Sequence, residues 1–115
     1  MHELSVCQGL LREVARVAAE HDAVAVDRIV LRVGRLSGVE PPLLLRAFEV
    51  ARAGTLAESA ELEIQAGPVI VQCRQCGAQG EVAVNRLVCP DCGDWRVQVV
   101  EGEELLLLKL DIEKL

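Results

Sequence analysis

Aromatic side chains are nearly absent from this sequence of 115 residues, which contains one Phe, one Trp and no Tyr. Because apolar residues still make up 51% of the chain, a hydrophobic core has to come from leucine, valine, isoleucine and alanine. Proteins that bind single-stranded nucleic acid stack the bases on several aromatic rings. Phe48 and Trp95 alone do not supply such a surface.

A surplus of positive charge is also missing. The chain has 12 Lys and Arg against 18 Asp and Glu, and its net charge is −6. Binding to a phosphate backbone depends on clustered basic residues, whereas Arg74, Arg86 and Arg96 are interspersed with acidic ones. We therefore expect no nucleic-acid partner.

Long apolar segments are lacking as well. The longest leucine run, Leu105 to Leu108, is far shorter than the roughly 20 apolar residues that cross a bilayer. Charged residues such as Glu3, Arg12 and Arg16 interrupt the amino-terminal segment, so it has no apolar signal-peptide core. The sequence predicts a cytoplasmic protein without a membrane partner.

Cysteine, by contrast, is concentrated in two pairs, Cys73-Arg74-Gln75-Cys76 and Cys89-Pro90-Asp91-Cys92, which 12 residues separate. Each pair is followed by a glycine, Gly77 or Gly93. A Cys-x-x-Cys turn directs two sulfurs to one point, and the glycine lets the chain turn away with positive φ. The pattern predicts a metal site whose ligands are Cys73, Cys76, Cys89 and Cys92.

Zinc is the favoured metal, and because four cysteines leave no open position, such a zinc ion is expected to be structural. Iron is an alternative, since paired knuckles of this kind resemble those of rubredoxins. Two disulfides are a second alternative, although nothing in the sequence indicates an oxidising compartment. Thioredoxin-like thiol exchange is a third, but two pairs at this spacing are better explained by one shared metal.

Hydrophobic periodicity predicts the remaining architecture. Three- and four-residue spacing indicates a helix over Leu4–Ala19, and a second helix begins at Pro41 as its first residue. Strands are predicted at Val26–Val33, Ala60–Ala66 and Leu106–Ile112. We predict an α+β fold with two helices packed on a small mixed three-stranded sheet and an inserted zinc-ribbon domain. The predicted domains are 1–67 plus 99–115, and 68–98.

The amino terminus offers a second set of metal ligands. The Met1 amine, the His2 backbone nitrogen and the His2 Nδ1 atom close adjacent five- and six-membered chelate rings, and the Glu3 amide supplies a fourth nitrogen in the plane. Such nitrogen ligands suit Ni(II) or Cu(II). The Glu3 carboxylate has two interpretations: it offsets the positive end of the helix, or it binds a partner. A histidine at an exposed terminus more commonly has no role.

Catalysis is not predicted. The other histidine, His21, is placed at the end of the first helix, and the sequence contains neither a nucleophile with an evident base nor a glycine-rich phosphate loop. Cys7 lies on the apolar face of the first helix, where an unpaired thiol behaves as a small buried hydrophobe. We expect a protein that is not an enzyme.

Four segments together resemble the HypA/HybF family of hydrogenase nickel-incorporation proteins: Met1-His2-Glu3-Leu4-Ser5, Gly34-Arg35-Leu36-Ser37-Gly38-Val39-Glu40-Pro41, the two cysteine pairs, and Gly102-Glu103-Glu104-Leu105. The resemblance implies a nickel metallochaperone. It implies transferable Ni(II) held around His2 by the amino-terminal segment of the larger, nickel-binding domain, and structural Zn(II) held by the four cysteines. It also implies two partners, a HypB-type maturation GTPase and the large-subunit precursor of a [NiFe]-hydrogenase.

A function of another class remains open from the residues alone. A zinc ribbon also serves as an interaction adaptor that recruits a protein partner and transports no metal. The amino terminus separates the two hypotheses, because only a carrier depends on a free Met1 amine.

Overall fold

A computed structural model describes residues 2–115. Along the chain the elements are α1 (His2–Glu20), β1 (Ala23–Val33), α2 (Pro41–Ala51), β2 (Glu61–Ala66), β3 (Val69–Cys73), β4 (Gln79–Val82), β5 (Val97–Glu101) and β6 (Leu105–Lys114). One sheet has the order β2-β1-β6 and the other has the order β4-β3-β5. The predicted α+β fold with an inserted ribbon is confirmed. Among the described residues, no helix is both long and apolar enough to cross a bilayer.

The chain divides into two compact units. The first unit comprises the chain up to Leu31, Val39–Gln65 and Leu106–Leu115. The second comprises Arg32–Gly38 and Ala66–Leu105. The domain boundaries drawn from the sequence stay a prediction.

The first unit contains both helices and most of the β2-β1-β6 sheet. Helix α1 begins at His2, two residues before its predicted start, and contacts α2. Helix α2 begins at Pro41, as predicted; Glu40 is its N-cap in an extended conformation and makes no side-chain capping bond. Proline is favourable at this position because the first helical N–H has no acceptor within the helix. The core has the aliphatic character that the composition requires, with one buried aromatic ring; its buried side chains include Cys7, Leu10, Val14, Ala18, Val26, Ile29, Leu31, Leu44 and Phe48.

The second unit is built on the β4-β3-β5 sheet. Strand β3 pairs antiparallel with both neighbours, so that Val71 lies opposite Gly80 on one side and Val99 on the other. Its buried side chains alternate as strand geometry requires, with Val69, Val71 and Cys73 directed inward. The core therefore runs along β3 directly into the first cysteine of the ribbon.

Candidate metal centres

Each cysteine pair forms a tight turn closed by backbone hydrogen bonds. The Gly77 N–H donates to the Cys73 carbonyl at 3.1 Å, and the Gly93 N–H donates to the Cys89 carbonyl at 3.0 Å. Both glycines have positive φ, 76° and 77°, a conformation that side-chain-bearing residues adopt at a cost. The two turns therefore have the same geometry, and the glycines explain how the chain leaves each of them.

The turns bring their four sulfur atoms together, all within 4.8 Å of one another. The Sγ atoms of Cys73 and Cys92 are 3.7 Å apart, and those of Cys76 and Cys89 are 3.5 Å apart. A tetrahedral ion with metal–sulfur bonds of about 2.3 Å requires sulfurs about 3.8 Å apart. The thiols are free, so the disulfide alternative is wrong, and the cluster has the size that one tetrahedral ion needs.

Backbone amides direct partial positive charge at the first sulfur of each pair. The N–H groups of Gln75 and Cys76 donate to Cys73 Sγ at 3.3 and 3.4 Å. Asp91 and Cys92 donate to Cys89 Sγ at the same two distances. These bonds stabilise a thiolate. They lower the pKa of Cys73, and they lower the pKa of Cys89 to about 7.

The second sulfur of each pair behaves in the opposite way. Although a hydrogen bond from the Ala78 backbone lowers the pKa of Cys76, hydrogen bonding with the Cys89 thiol and partial desolvation of the sulfur raise that pKa to about 12. The Cys92 pKa is also raised: a hydrogen bond from the Asp94 backbone lowers it, but partial desolvation of the sulfur and the Cys73 thiol outweigh that bond. Four thiols this close do not all ionise at neutral pH unless a cation lies among them. The ligand set therefore fits a divalent thiophilic metal.

The ribbon also fixes the second turn against its sheet. Pro90, inside the Cys89–Cys92 turn, lies so close to β4 that a side chain at Gly80 would place its Cβ atom 2.8 Å from Pro90 Cγ. Cys73 and Cys89 are buried, whereas Cys76 and Cys92 are exposed. Four thiol ligands fill a tetrahedron and leave no position for a fifth, so an ion held by this set would be coordinatively closed.

Two of the residues proposed as amino-terminal ligands, His2 and Glu3, lie at the start of α1. Met1 is outside the described residues. His2 is the first residue of the helix and its side chain is exposed. The first backbone N–H groups of a helix have no partner within it, so hydrogen bonding inside α1 does not engage the amides of His2 and Glu3.

Glu3 occupies a position that the sequence did not reveal. The residue is only 9% exposed, and its Oε2 atom accepts a hydrogen bond from the Glu40 N–H at 3.4 Å. The carboxylate thus contacts the N-cap of α2, which is 37 positions away in the chain. No local pattern indicates a contact over that separation.

The remaining candidate residues have structural environments. Cys7 is fully buried on α1, and burial raises the pKa of its thiol, which confirms its assignment as a small buried hydrophobe. His21 follows the last residue of α1, and its N–H donates to the Ala18 carbonyl at 3.1 Å. Its predicted place at the end of the helix is confirmed.

Comparison with known proteins relates nearly the whole chain to one family. The profile of the family described as "Hydrogenase/urease nickel incorporation, metallochaperone, hypA" matches residues 1–112. A hydrogenase maturation factor HypA from Nitrosospira multiformis is 46% identical over 112 residues, which are 97% of each chain. One from Aquifex aeolicus is 38% identical over 113 residues, 98% of each chain.

Solved structures show the same similarity in three dimensions. The solution structure of the Ni metallochaperone HypA from Helicobacter pylori superposes with a TM-score of 0.76 at 28% sequence identity, and the match covers 97% of both chains. A second solution structure of a HypA protein has a TM-score of 0.74 at 29% identity, covering 97% of this chain and 96% of the other.

Proposed function

This chain belongs to the HypA family of hydrogenase and urease nickel-incorporation metallochaperones, and from that premise we propose that it carries Ni(II) and delivers it during hydrogenase maturation. The family match over residues 1–112 is the observation that supports the proposal most strongly. The relatives compared above are hydrogenase maturation factors, and a structural neighbour is described as a nickel metallochaperone. The proposed role is carriage rather than catalysis.

Two metals have separate places in this proposal. The closed set of Cys73, Cys76, Cys89 and Cys92 holds Zn(II), which has no redox chemistry and contributes folding free energy. A closed set exchanges its ion poorly, so the transferable ion belongs elsewhere. The amine of Met1, the amide and Nδ1 nitrogens of His2 and the amide of Glu3 provide a planar nitrogen set of the kind that Ni(II) prefers.

Delivery then takes place by ligand exchange. The proposed recipient is the large-subunit precursor of a [NiFe]-hydrogenase, and a HypB-type maturation GTPase is the proposed cooperating partner. The exposed His2 side chain suits this role, because incoming ligands of the recipient would reach an ion bound there without unfolding the carrier. Since the ligands release protons on binding, nickel affinity is expected to rise with pH.

The nickel site is tested by two changes to the amino terminus. One variant has a single residue added before Met1, which removes the amine chelate, and the other is His2→Ala. We expect both to lose nickel binding by at least about tenfold, the loss that one missing ligand interaction worth about 1.4 kcal/mol produces. Equilibrium dialysis against Ni(II) measures the loss, and elemental analysis counts zinc in the same samples.

The chain provides a matched control in its other histidine. His21→Ala removes an imidazole from the opposite end of α1 and is expected to leave nickel binding unchanged. Full nickel uptake by the extended chain contradicts the amino-terminal site. The elemental analysis also distinguishes zinc from iron in the four-cysteine site, and a red protein as purified contradicts zinc.

One observation favours the adaptor as a second candidate function. Trp95 on the ribbon is 75% exposed, and the Arg96 guanidinium lies over its ring at 5.9 Å from the centroid. Exposed tryptophan and arginine side chains are typical of protein-binding hot spots. The adaptor is favoured if Trp95→Ala abolishes partner binding while the chain extended before Met1 keeps full maturation activity.

A further inference from the structure

Two buried polar atoms of the second unit have no protein partner. Arg32 Nε and Glu104 Oε1 are both inaccessible to solvent, and neither forms a hydrogen bond with any group of residues 2–115. Burying a donor or an acceptor without a partner is costly, most of all in a charged side chain, and native proteins rarely do so. We therefore expect both atoms to bind a group that the protein itself does not supply.

Both atoms lie beside the same glycine. A Cβ atom at Gly67 would be 3.4 Å from Glu104 Oε1 and 3.5 Å from Arg32 Nε. Gly67 is buried, and its φ is not among the positive values of the chain, so the backbone conformation does not require glycine here. The absence of a side chain instead leaves a small space between a donor and an acceptor.

The two side chains have fixed hydrogen-bonding roles. Glu104 Oε2 accepts the Gly102 N–H at 2.7 Å, which holds the carboxylate in place. This backbone bond, together with the positive charge of Arg32, lowers the pKa of Glu104. The carboxylate is therefore ionised at neutral pH and only accepts hydrogen bonds, whereas the guanidinium only donates them. A group between the two atoms has to accept from one and donate to the other.

We propose that one water molecule binds beside Gly67 and bridges Arg32 Nε to Glu104 Oε1. Water accepts the N–H of Nε and donates an O–H to Oε1, so it satisfies both atoms. An anion would be repelled by the carboxylate and a metal cation by the guanidinium, so neither suits both. The distances agree, because the Cβ position is less than about 1 Å farther from each atom than a hydrogen-bonded oxygen.

The bridging water joins three segments of the second unit that are distant in the chain. The unit begins at Arg32, resumes at Ala66 and ends at Leu105, so Arg32, Gly67 and Glu104 all lie at or beside these boundaries. A backbone hydrogen bond already joins the first of these segments to the last. The water adds the middle segment to the same polar network, and it explains why the position beside Pro68 is a glycine.

A crystal structure of the full chain at a resolution that shows ordered water tests the site directly. We expect a water oxygen about 2.7–3.2 Å from both Arg32 Nε and Glu104 Oε1. The Gly67→Ala variant is expected to lack this water. A structure of the original chain with no water at this position, or with Nε bonded directly to Oε1, overturns the proposal.

The stability of Gly67→Ala gives a second readout, whose sign depends on the water. The methyl group displaces the water and leaves both polar atoms unpaired, so we expect the midpoint of thermal unfolding to fall by about 3–8 °C. Without a bound water, alanine meets no atom closer than 3.4 Å and only reduces the freedom of the unfolded chain, which raises the midpoint. A rise therefore contradicts the proposal.

Two further variants serve as controls. Gly67→Ser has nearly the size of alanine but carries a hydroxyl that both donates and accepts. Because this hydroxyl takes the place of the water, we expect serine to lower the midpoint by less than about half as much as alanine. Gly9→Ala on α1 makes the same change at a position without polar atoms in need of a partner, and it is expected to raise the midpoint.

A double-mutant cycle tests Arg32 as the donor. Arg32→Met removes Nε but keeps an unbranched side chain, so displacing the water then leaves one unpaired atom fewer. In that background Gly67→Ala is expected to shift the midpoint by less than about half of its shift in the original chain. Equal shifts mean that alanine acts by crowding alone, which contradicts the water bridge. If Gly67→Ala does not fold, the crystal structure of the original chain decides.

Discussion

At the scale of single residues, Glu3 links two helices of the first unit. This buried residue lies in the first turn of α1, and its carboxylate accepts the N–H of Glu40 at the N-cap of α2. Both helices gain from this placement, because an acidic group near a helix N-terminus interacts favourably with the dipole and the Glu40 amide receives an acceptor. The residue expected to supply a nickel ligand through its amide thus also orders the segment that contains His2.

Substitutions at Glu3 separate the contribution of its side chain to stability from the proposed nickel binding by its backbone nitrogen. Glu3→Ala is expected to lower the free energy of unfolding by about 1–2 kcal/mol, the value of a partly buried hydrogen bond plus the dipole interaction. Glu3→Gln keeps an acceptor oxygen and is expected to lose less than about half of that. Urea denaturation followed by circular dichroism measures both changes, with the exposed Glu58→Ala as the control.

Nickel binding gives an independent readout on the same variants. Because the proposed ligand is the Glu3 backbone nitrogen, Glu3→Gln is expected to bind nickel as the original chain does. A large loss of nickel with unchanged stability contradicts this assignment and identifies the carboxylate as the ligand. The sequence could not resolve the question, since the Glu40 contact depends on the packing of α1 against α2.

At the scale of elements, local patterns predicted the helices and the strands of the first unit. Pro41 set the start of α2, and alternation located β2 and β6 to within a few residues. The cysteine turns were also predictable, because each is closed within five positions. The ribbon strands β3, β4 and β5 were not predicted individually, since they have four or five residues each and are stabilised by pairing with one another.

Gly34, which follows β1, is another position whose role local sequence patterns do not predict. Its N–H donates to the Glu104 carbonyl at 2.7 Å, and a Cβ atom at this position would overlap the Gly102 carbonyl and lie 2.9 Å from the Glu104 nitrogen. The two backbones approach so closely that only glycine fits. The sequence contains the glycine, but the contact that requires it comes from a segment about 70 residues away.

One substitution made at two glycines tests this interpretation. Gly34→Ala is expected to lower the free energy of unfolding by about 2–3 kcal/mol because the clash involves backbone atoms that cannot rotate away. Gly9→Ala, inside α1, meets no atom closer than 3.8 Å and is expected to raise it by about 0.5–1 kcal/mol. Thermal unfolding of the two variants measures both changes in the free energy of unfolding, which are expected to have opposite signs. Equal effects at both sites contradict the close approach.

At the scale of the whole molecule, the two units differ in what stabilises them. The first has a core of buried side chains from α1, β1 and α2. The second has a few buried valines on β3, and its two cysteine turns are joined through the proposed metal. Small units of this kind depend on a metal because their apolar core alone does not provide enough free energy to keep them folded.

Removal of the metal is therefore expected to unfold the second unit and leave the first folded. A structural zinc ion supplies about 10–16 kcal/mol in small zinc-binding units, more than the small core around β3 can replace. We expect a strong chelator to abolish the dispersed amide resonances of residues 66–105 in a nitrogen–proton correlation spectrum. Resonances of α1, α2 and β2 are expected to persist.

Thiol counting provides a second readout of the same experiment, because the fifth cysteine reports on the first unit. After chelation, four thiols are expected to react rapidly with a thiol reagent, while Cys7, fully buried on α1, stays protected. The Cys7→Ala variant is expected to give the same rapid count of four and one thiol fewer in denaturant. Rapid reaction of all five thiols means that the units unfold together, and retained ribbon resonances after zinc removal mean that the metal does not stabilise the fold; either result contradicts the prediction.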